Sequence, residues 1–487
     1  MREAAEMATP IPKNRASFDA HSVAEAAGGR VVRVNHPSRT ACGVTTDSRA
    51  VTVGGAFVAI RGENRDGHDF VDAAVASGAV LAIVERGRAP TDARVDVVEV
   101  DDTLVAWGAL ARAHLLRWRL SNAEARVVAI TGSAGKTTTK ELCAALLRTA
   151  AECHSTDGNL NNRVGMPAVA LAIEPRHRFA VFELGMSVRG EIAALAAIAE
   201  PDVALVTNVG LAHAGGVGGT IEDVAREKGS LFTSVRREGV ALASADDPAV
   251  LSQLGGSPAT RTVLFGRSER ADVCLVRRKT LGAEGSWIFV RRADRESAFV
   301  LPIPGEAAAL DFAAALAAAE AAVGTLLDDA RIGAALRGLA PIAGRMQVRH
   351  LQGDIVVIDD TYNANPASVR AALSTLGELA GSRRVAVLGE MKELGRLAES
   401  EHERLGEAVA AAGVELLVSC GGLADLTARA AKQGGVDVLH ANDAAEAAHM
   451  SVERIRAGDR VLVKASRGVG AERVVDALVR AYGEELY

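Results

Sequence analysis

Aromatic residues are scarce in this chain. Phe, Trp and Tyr make up 3% of 487 residues, so the cores have to be built from Ala, Val, Leu and Ile. Cysteine is sparse as well. Cys42, Cys143, Cys153, Cys274 and Cys420 are scattered, with no C-x-x-C pair. Neither a zinc site nor a disulfide framework is suggested, and a reducing compartment fits. No uninterrupted apolar run reaches the roughly 20 residues of a membrane span. The opening stretch, "MREAAEMATPIPKNRASFDAH", has no apolar h-region, so no signal peptide is expected. A cytoplasmic protein without membrane insertion follows as the expectation. The net charge of −6 favours no nucleic-acid partner.

What is present is ordinary globular composition, 49% hydrophobic and 24% charged. The length predicts about three domains. Residues 1–122 carry short strand-like runs ("GAFVAI", "AVLAIVE", "VDVVEV") and Ala-rich helical segments, with "LRWRLSNAEAR" (116–126) read as the connection onward. Residues 123–343 alternate strands and helices, which predicts a mainly parallel sheet covered on both faces. Within them, 270–303 read as antiparallel hairpins and 306–323 as a packed Ala-rich helix. Residues 344–487 repeat the βα rhythm.

The chemistry centres on "VVAITGSAGKTTTKE" (127–141), a buried strand, a glycine turn and a helix start. It is shorter than the common phosphate-binding loop: Gly132 and the Gly135-Lys136 pair enclose only Ser133 and Ala134. Its amides, Gly132 to Thr138, would face phosphates at a helix N-terminus. Lys136 would reach the terminal phosphates and Thr137 would ligate Mg²⁺. "FAVFELG" puts Glu183 at a strand's carboxyl end, where open parallel sheets bind ligands, and one such carboxylate suits Mg²⁺. "DVALVTNVGLAH" ends at Asn208, with His213 close behind; a structural histidine is an equal reading. In "IEDVAREKGSLFTSV", Lys228 shares a helical face with Val224, Leu231, Phe232 and Val235. It is either a snorkelling lysine or a desolvated amine able to take up CO₂ as a metal-binding carbamate. "STDGNLNNRVGMP" clusters Asn159, Asn161 and Asn162, which are turn formers or amide contacts to a polar ligand.

In their order, "TGSAGKTT", "GNLNNRVGMP", "ELG", "TNVGLAH" and the lysine helix resemble the central domain of the Mur ligase superfamily, ATP-dependent amide-forming ligases. "TTDSRAVTVGGAFVAIRGENRDGHDF" (45–70) resembles the family's uridine-nucleotide-binding domain. "IDDTYNANPASV" (358–369) and "VLGEMKELG" followed by His402 resemble the branch that joins D-alanyl-D-alanine to UDP-N-acetylmuramoyl-tripeptide (UDP-MurNAc-tripeptide).

The resemblance implies an α/β protein of three domains. A central P-loop parallel-sheet ATPase domain would lie between a smaller N-terminal uridine-nucleotide domain and a Rossmann-like C-terminal domain. It implies ATP and two Mg²⁺ ions. Thr137 would hold one ion; Glu183, His213 and a carbamylated Lys228 would hold the other. Arg345 would reach the γ-phosphate and Asp360 the ribose. Asn363 and Asn365 would lie near nucleotide and dipeptide. Ser48 and Arg49 would line the UDP pocket, and Asn159 and Asn162 would lie near substrate and phosphates. Lys464 and Ser466 would belong to the mobile C-terminal domain. A monomer is expected, acting in cell-wall biogenesis and so in cell shape and division.

The run "GEAAALD" departs from the family's Gly-x-His-Asn-x-x-Asn. It puts Asp311 where an Asn reads adenine. An ionised aspartate only accepts hydrogen bonds, so weaker adenine discrimination is expected. The alternatives are a sister ligase adding meso-diaminopimelate or lysine, a non-catalytic nucleotide-binding homologue, and a P-loop kinase.

Overall fold

The computed structural model describes residues 9–62, 65–92, 94–211 and 213–485. The stretch read for an h-region therefore lies partly outside the described residues. So does Ala212 of the "TNVGLAH" run.

Three main sheets follow one another along the chain. The first has five strands in the order Arg30–Arg33, Asp96–Val100, Leu81–Glu85, Ala56–Val58, Val44–Thr45. Only its Arg30–Arg33 edge is antiparallel. Helix Thr103–Ser121 follows. The expected connection at 116–126 is therefore mostly helix, with only the segment from Asn122 to Ala125 between helix and the next strand. The reason is burial. Leu110, Ala111, Leu115 and Trp118 fall on one face and are buried. That face is pinned to the central unit, where the indole N–H groups of Trp107 and Trp118 donate to Val164 O and His177 O, each at 2.9 Å.

The central sheet has nine strands. Seven are parallel: Cys153–Ser155, Phe179–Glu183, Arg126–Thr131, Val203–Val206, Val240–Ser244, Arg261–Gly266 and Val273–Thr280 in spatial order. The expected hairpins, Ser286–Arg292 and Arg295–Leu301, extend this same sheet antiparallel. Alternate residues of each strand feed opposite cores. Val127, Ala129, Ala180 and Phe182 face Leu195 and Phe232, while Val128, Ile130, Val181 and Leu205 face Leu142 and Leu146. Both faces are covered, so the strands read as continuous apolar runs. The Ala-rich helix, Glu306–Val323, packs on helix Lys136–Arg148. Its small side chains let the backbones approach, which brings Asp311 to the phosphate loop.

The third sheet runs Gln347–Leu351, Ile355–Asp359, Asp459–Lys464, Arg383–Gly389, Leu416–Cys420, Asp437–Ala441, with only the first strand antiparallel. Strand order reverses beside Asp459–Lys464, so Asp360 and Lys464 sit at a topological switch point, where such sheets bind ligands. Among the described residues no helix is long and apolar enough to cross a membrane.

Candidate active site

The loop after strand Arg126–Thr131 is short because its neighbours hold it tightly. Gly132 is required by close approach: a Cβ there would lie 1.8 Å from Thr207 Oγ1. Gly135 adopts φ +79° and begins helix Lys136–Arg148, and a Cβ there would strike the Asp311 carboxyl at 2.1 Å. Asn208, two residues past strand Val203–Val206, braces the loop. Asn208 Oδ1 accepts from Ala134 N at 2.9 Å, and Asn208 Nδ2 and Thr207 Oγ1 donate to Ala134 O at 3.0 and 2.7 Å. Sequence reading noted Asn208 only as a strand end. Its bracing role depends on the pairing of Val203–Val206 beside Arg126–Thr131.

Five expected site residues meet here. Thr137 Oγ1 donates to Glu183 Oε2 at 2.9 Å. Arg345 Nη2 donates to Thr137 Oγ1 at 3.0 Å. The ammonium groups of Lys136 and Lys228 both donate to Gly132 O, at 2.9 and 3.1 Å. Burial holds the Lys136 pKa below its ordinary value; Glu183 opposes that shift and Arg345 adds to it. Burial, and next the neighbouring Lys136 charge, push Lys228 well below the ordinary lysine range. Lys228 is 1% exposed and does not snorkel. Its helix, Ile221–Thr233, buries Val224, Leu231 and Phe232 on the expected face. Glu227 on the same helix accepts from Gly190 N and Ile192 N, and its charge opposes the Lys228 shift without outweighing burial.

Glu183 is 2% exposed, and Asn161 Nδ2 donates to its Oε1 at 2.8 Å. Of the asparagine cluster, then, Asn161 touches the site. Asn159 Oδ1 accepts from Thr9 Oγ1, and Asn162 Oδ1 caps the helix at Gly165, taking Val164 N and Gly165 N. Neighbouring turn asparagines look alike in sequence, and only the fold selects which one faces the carboxylate.

His213 has no contact with Glu183, Thr137 or Lys228. It adopts φ +59° and pairs through Nδ1 with Glu393 of the third unit. Among the described residues no group of three or more His, Cys, Asp or Glu gathers as a metal cage. One hydroxyl and one carboxylate, Thr137 and Glu183, instead fit a Mg²⁺ that arrives on nucleotide phosphate.

The third unit reaches this loop through Arg345 and through Asn365, whose Nδ2 donates to Ser133 O at 3.2 Å. The Arg345 guanidinium lies 4.0 Å over the Tyr362 ring, and Arg467 lies 5.3 Å from the same ring. Behind them, Lys464 Nζ donates to Asp360 Oδ2 at 2.5 Å and to Asn363 O at 2.8 Å. Ser466 Oγ accepts from Lys392 N and donates to Ala364 O. Asp360 thus has one oxygen on Lys464 and the other on Met346 N. Ser48 and Arg49 lie apart in the first unit, on a short turn where Arg49 makes a two-point pair with Asp47 and stays largely exposed.

Asp311 alters the reading of its own departure. Burial pushes its carboxyl up to about 8, against the opposing effects of Thr139 and Arg345. That shift favours the protonated form, which has an O–H donor and a C=O acceptor like an amide. The accept-only expectation assumed an exposed carboxylate.

A phosphate loop on a parallel sheet, a buried amine, a strand-end carboxylate and an arginine from a following domain define a nucleotide-dependent enzyme of the P-loop class. Family models match as the Mur ligase middle domain over 130–319, the Mur ligase glutamate ligase domain over 344–467 and the Mur ligase family catalytic domain over 40–115. The chain belongs to the Mur ligase family. It is 36% identical, over 89% of its length and 93% of the relative's, to UDP-N-acetylmuramoyl-tripeptide–D-alanyl-D-alanine ligase of Escherichia coli. It is 32% identical to the Bacillus subtilis ligase of that name, over 94% and 98% of the two chains. MurF from Acinetobacter baumannii superposes with TM-score 0.85 at 31% identity, covering 97% of this chain and all of the other. MurF from Thermotoga maritima in complex with ADP gives 0.77 at 28% identity, covering 90% and 97%.

Proposed function

We infer that this chain is an ATP-dependent ligase that joins D-alanyl-D-alanine to UDP-MurNAc-tripeptide, yielding the pentapeptide precursor of peptidoglycan. One observation carries the reading. Thr137, Glu183, Lys136, Lys228 and Arg345 converge on one phosphate loop, in a chain alike end to end to ligases of that name.

The tripeptide's terminal carboxylate attacks the γ-phosphorus, the bond to the ADP oxygen breaks, and an acyl phosphate forms. The dipeptide amine then attacks the acyl carbon. The C–O bond to phosphate breaks, the amine loses a proton, and amide and phosphate are left. Two anions must meet in the first step, so the site needs fixed cations. Lys136 and Arg345 supply them from opposite sides of the loop. Mg²⁺, when bound, would offset phosphate charge; Thr137 and Glu183 would hold one ion, and Glu183, His213 and a Lys228 carbamate a second. A neutral amine is the form that takes up CO₂, and the buried surroundings of Lys228 favour it.

Asp311 reads the base beside Gly135. Asp360, Asn363, Asn365, Lys464 and Ser466 present nucleotide and dipeptide from the C-terminal side. Ser48 and Arg49 take the uridine diphosphate, and Asn159 and Asn162 shape the substrate loop. Domain boundaries at 122/123 and 343/344, a monomer, and a cytoplasmic location on soluble nucleotide substrates complete the proposal.

The test is phosphate release from ATP and Mg²⁺ with UDP-MurNAc-tripeptide and D-Ala-D-Ala, each omitted in turn. Release that requires every component, with a pentapeptide product by mass, is expected. Release with a UDP-dipeptide and a single amino acid instead would move the chain to the sister activity.

A further inference from the structure

Apart from Arg345 and Asn365 at the phosphate loop, and the Arg278–Glu378 and His350–Glu284 pairs, the central and third units touch at a further place. His213 opens the one-turn helix Ala214–Val217, and Glu393 precedes the turn Gly395–Leu397. Both are non-glycine residues at positive φ, +59° and +65°. Such backbone strain persists only where the surroundings enforce it, and it gathers at functional contacts. These two strained residues face each other across the domain boundary, with His213 Nδ1 against the Glu393 carboxylate. His213 Nδ1 is shielded from solvent, and the Glu393 side chain is 58% exposed.

The pair continues as a seam. A Cβ on Gly215 would lie 3.4 Å from the Gly395 Cα, so the two backbones pass in contact. A Cβ on Gly219 would lie 3.7 Å from Arg396 Nη2. One short loop of each unit therefore runs alongside the other, with the His213–Glu393 contact at one end and a glycine–glycine crossing in the middle. None of these residues lies on the phosphate loop.

We propose that Glu393 is a positioning residue that latches the third domain onto the central one through His213, so that Arg345 and Asn365 are held at the phosphate loop during turnover. The latch rests on the ligase reading for its use, because only a reaction with a water-sensitive acyl phosphate needs the domains held shut. The same contact fixes the His213 ring. A carboxylate on one imidazole nitrogen leaves the other to serve as a metal ligand, so closure and the candidate ligand are coupled.

The experiment uses the full-length chain with a donor and acceptor dye on the central and third domains. Energy transfer is read with and without a non-hydrolysable ATP analogue, beside steady-state kinetics. A partly exposed imidazole–carboxylate contact is modest, so Glu393→Gln should shift the closed-to-open ratio roughly threefold toward open. It should also lower kcat several-fold, leave the KM for ATP within about twofold, and be partly restored as Glu393→Asp. Gly215→Leu, which wedges the seam without touching the carboxylate, should open the domains likewise. Unchanged energy transfer in both variants overturns the latch, as does a loss of kcat with normal closure. A wild-type protein that closes on nucleotide but forms no pentapeptide refutes the ligase reading and leaves the latch measured independently.

Discussion

Arg345 Nη2 and Thr137 Oγ1 are 3.0 Å apart, although 208 positions separate them in the chain. The arginine comes from the segment before the third sheet, and the threonine opens the phosphate-loop helix. Stacking on Tyr362 at 4.0 Å aims the guanidinium, whose Nε is buried without a partner. Lysine keeps the charge but neither the fork nor the stacking. Arg345→Lys should therefore lower kcat by about tenfold or more. Tyr362→Phe, which keeps the ring, should stay near wild type, with Tyr362→Leu in between. Equal kinetics for the Phe and Leu variants would remove the ring from the argument.

Lys228 should be indispensable. Lys228→Ala is expected to lose ligation, and added bicarbonate should restore nothing in that variant. In the wild type, removing dissolved CO₂ should slow turnover, and intact-protein mass under mild conditions should reveal one added CO₂. Full activity in Lys228→Ala excludes the carbamate.

Asp311 predicts a pH dependence for nucleotide binding. Its carboxyl, pushed up to about 8 by burial, is neutral below that pH and charged above it. The neutral acid donates and accepts beside Gly135, whereas the anion accepts only and repels phosphate. The KM for ATP should rise as the pH passes upward through about 8, and Asp311→Asn should flatten that rise. A pH-independent KM in the wild type, or an ATP/GTP preference in Asp311→Asn that differs strongly at neutral pH, would contradict the protonated reading.

His154 and His177 predict acid sensitivity in the central domain. Their ring centroids are 5.1 Å apart, and burial lowers the His154 pKa from 6.5 to about 4. The unfolded chain takes up this proton near pH 6.5, while the folded chain resists until about 4. Stability is complete above 6.5 and falls as the pH drops toward 4, on the order of 3 kcal/mol from this group across that window. Denaturant titrations at pH 7 and pH 5 should show the loss, and His154→Gln should shrink it. An unchanged difference assigns the slope to other groups.

Much was legible in the sequence because local physics wrote it there. The continuous apolar runs before Thr131, Glu183 and Asn208 read as strands covered on both faces; the third ends two residues earlier, at Val206. The glycine turn before Lys136 could only open a helix, and Lys228 shared a face with residues that had to be buried. The long helix Thr103–Ser121 was misjudged at its end, since its last turn is fixed by the Trp118 indole hydrogen bond to His177 O, 59 residues away. Pairings across such distances leave no local trace. Tertiary structure alone decided that Asn161, and not its neighbours, meets Glu183, and that Asn208 braces the loop. It alone set His213 against Glu393 and brought Asp311 against Gly135, where desolvation raises its carboxyl pKa. Sequence determines which groups exist and which faces are apolar. Desolvation and the approach of distant strands and domains determine what those groups can do.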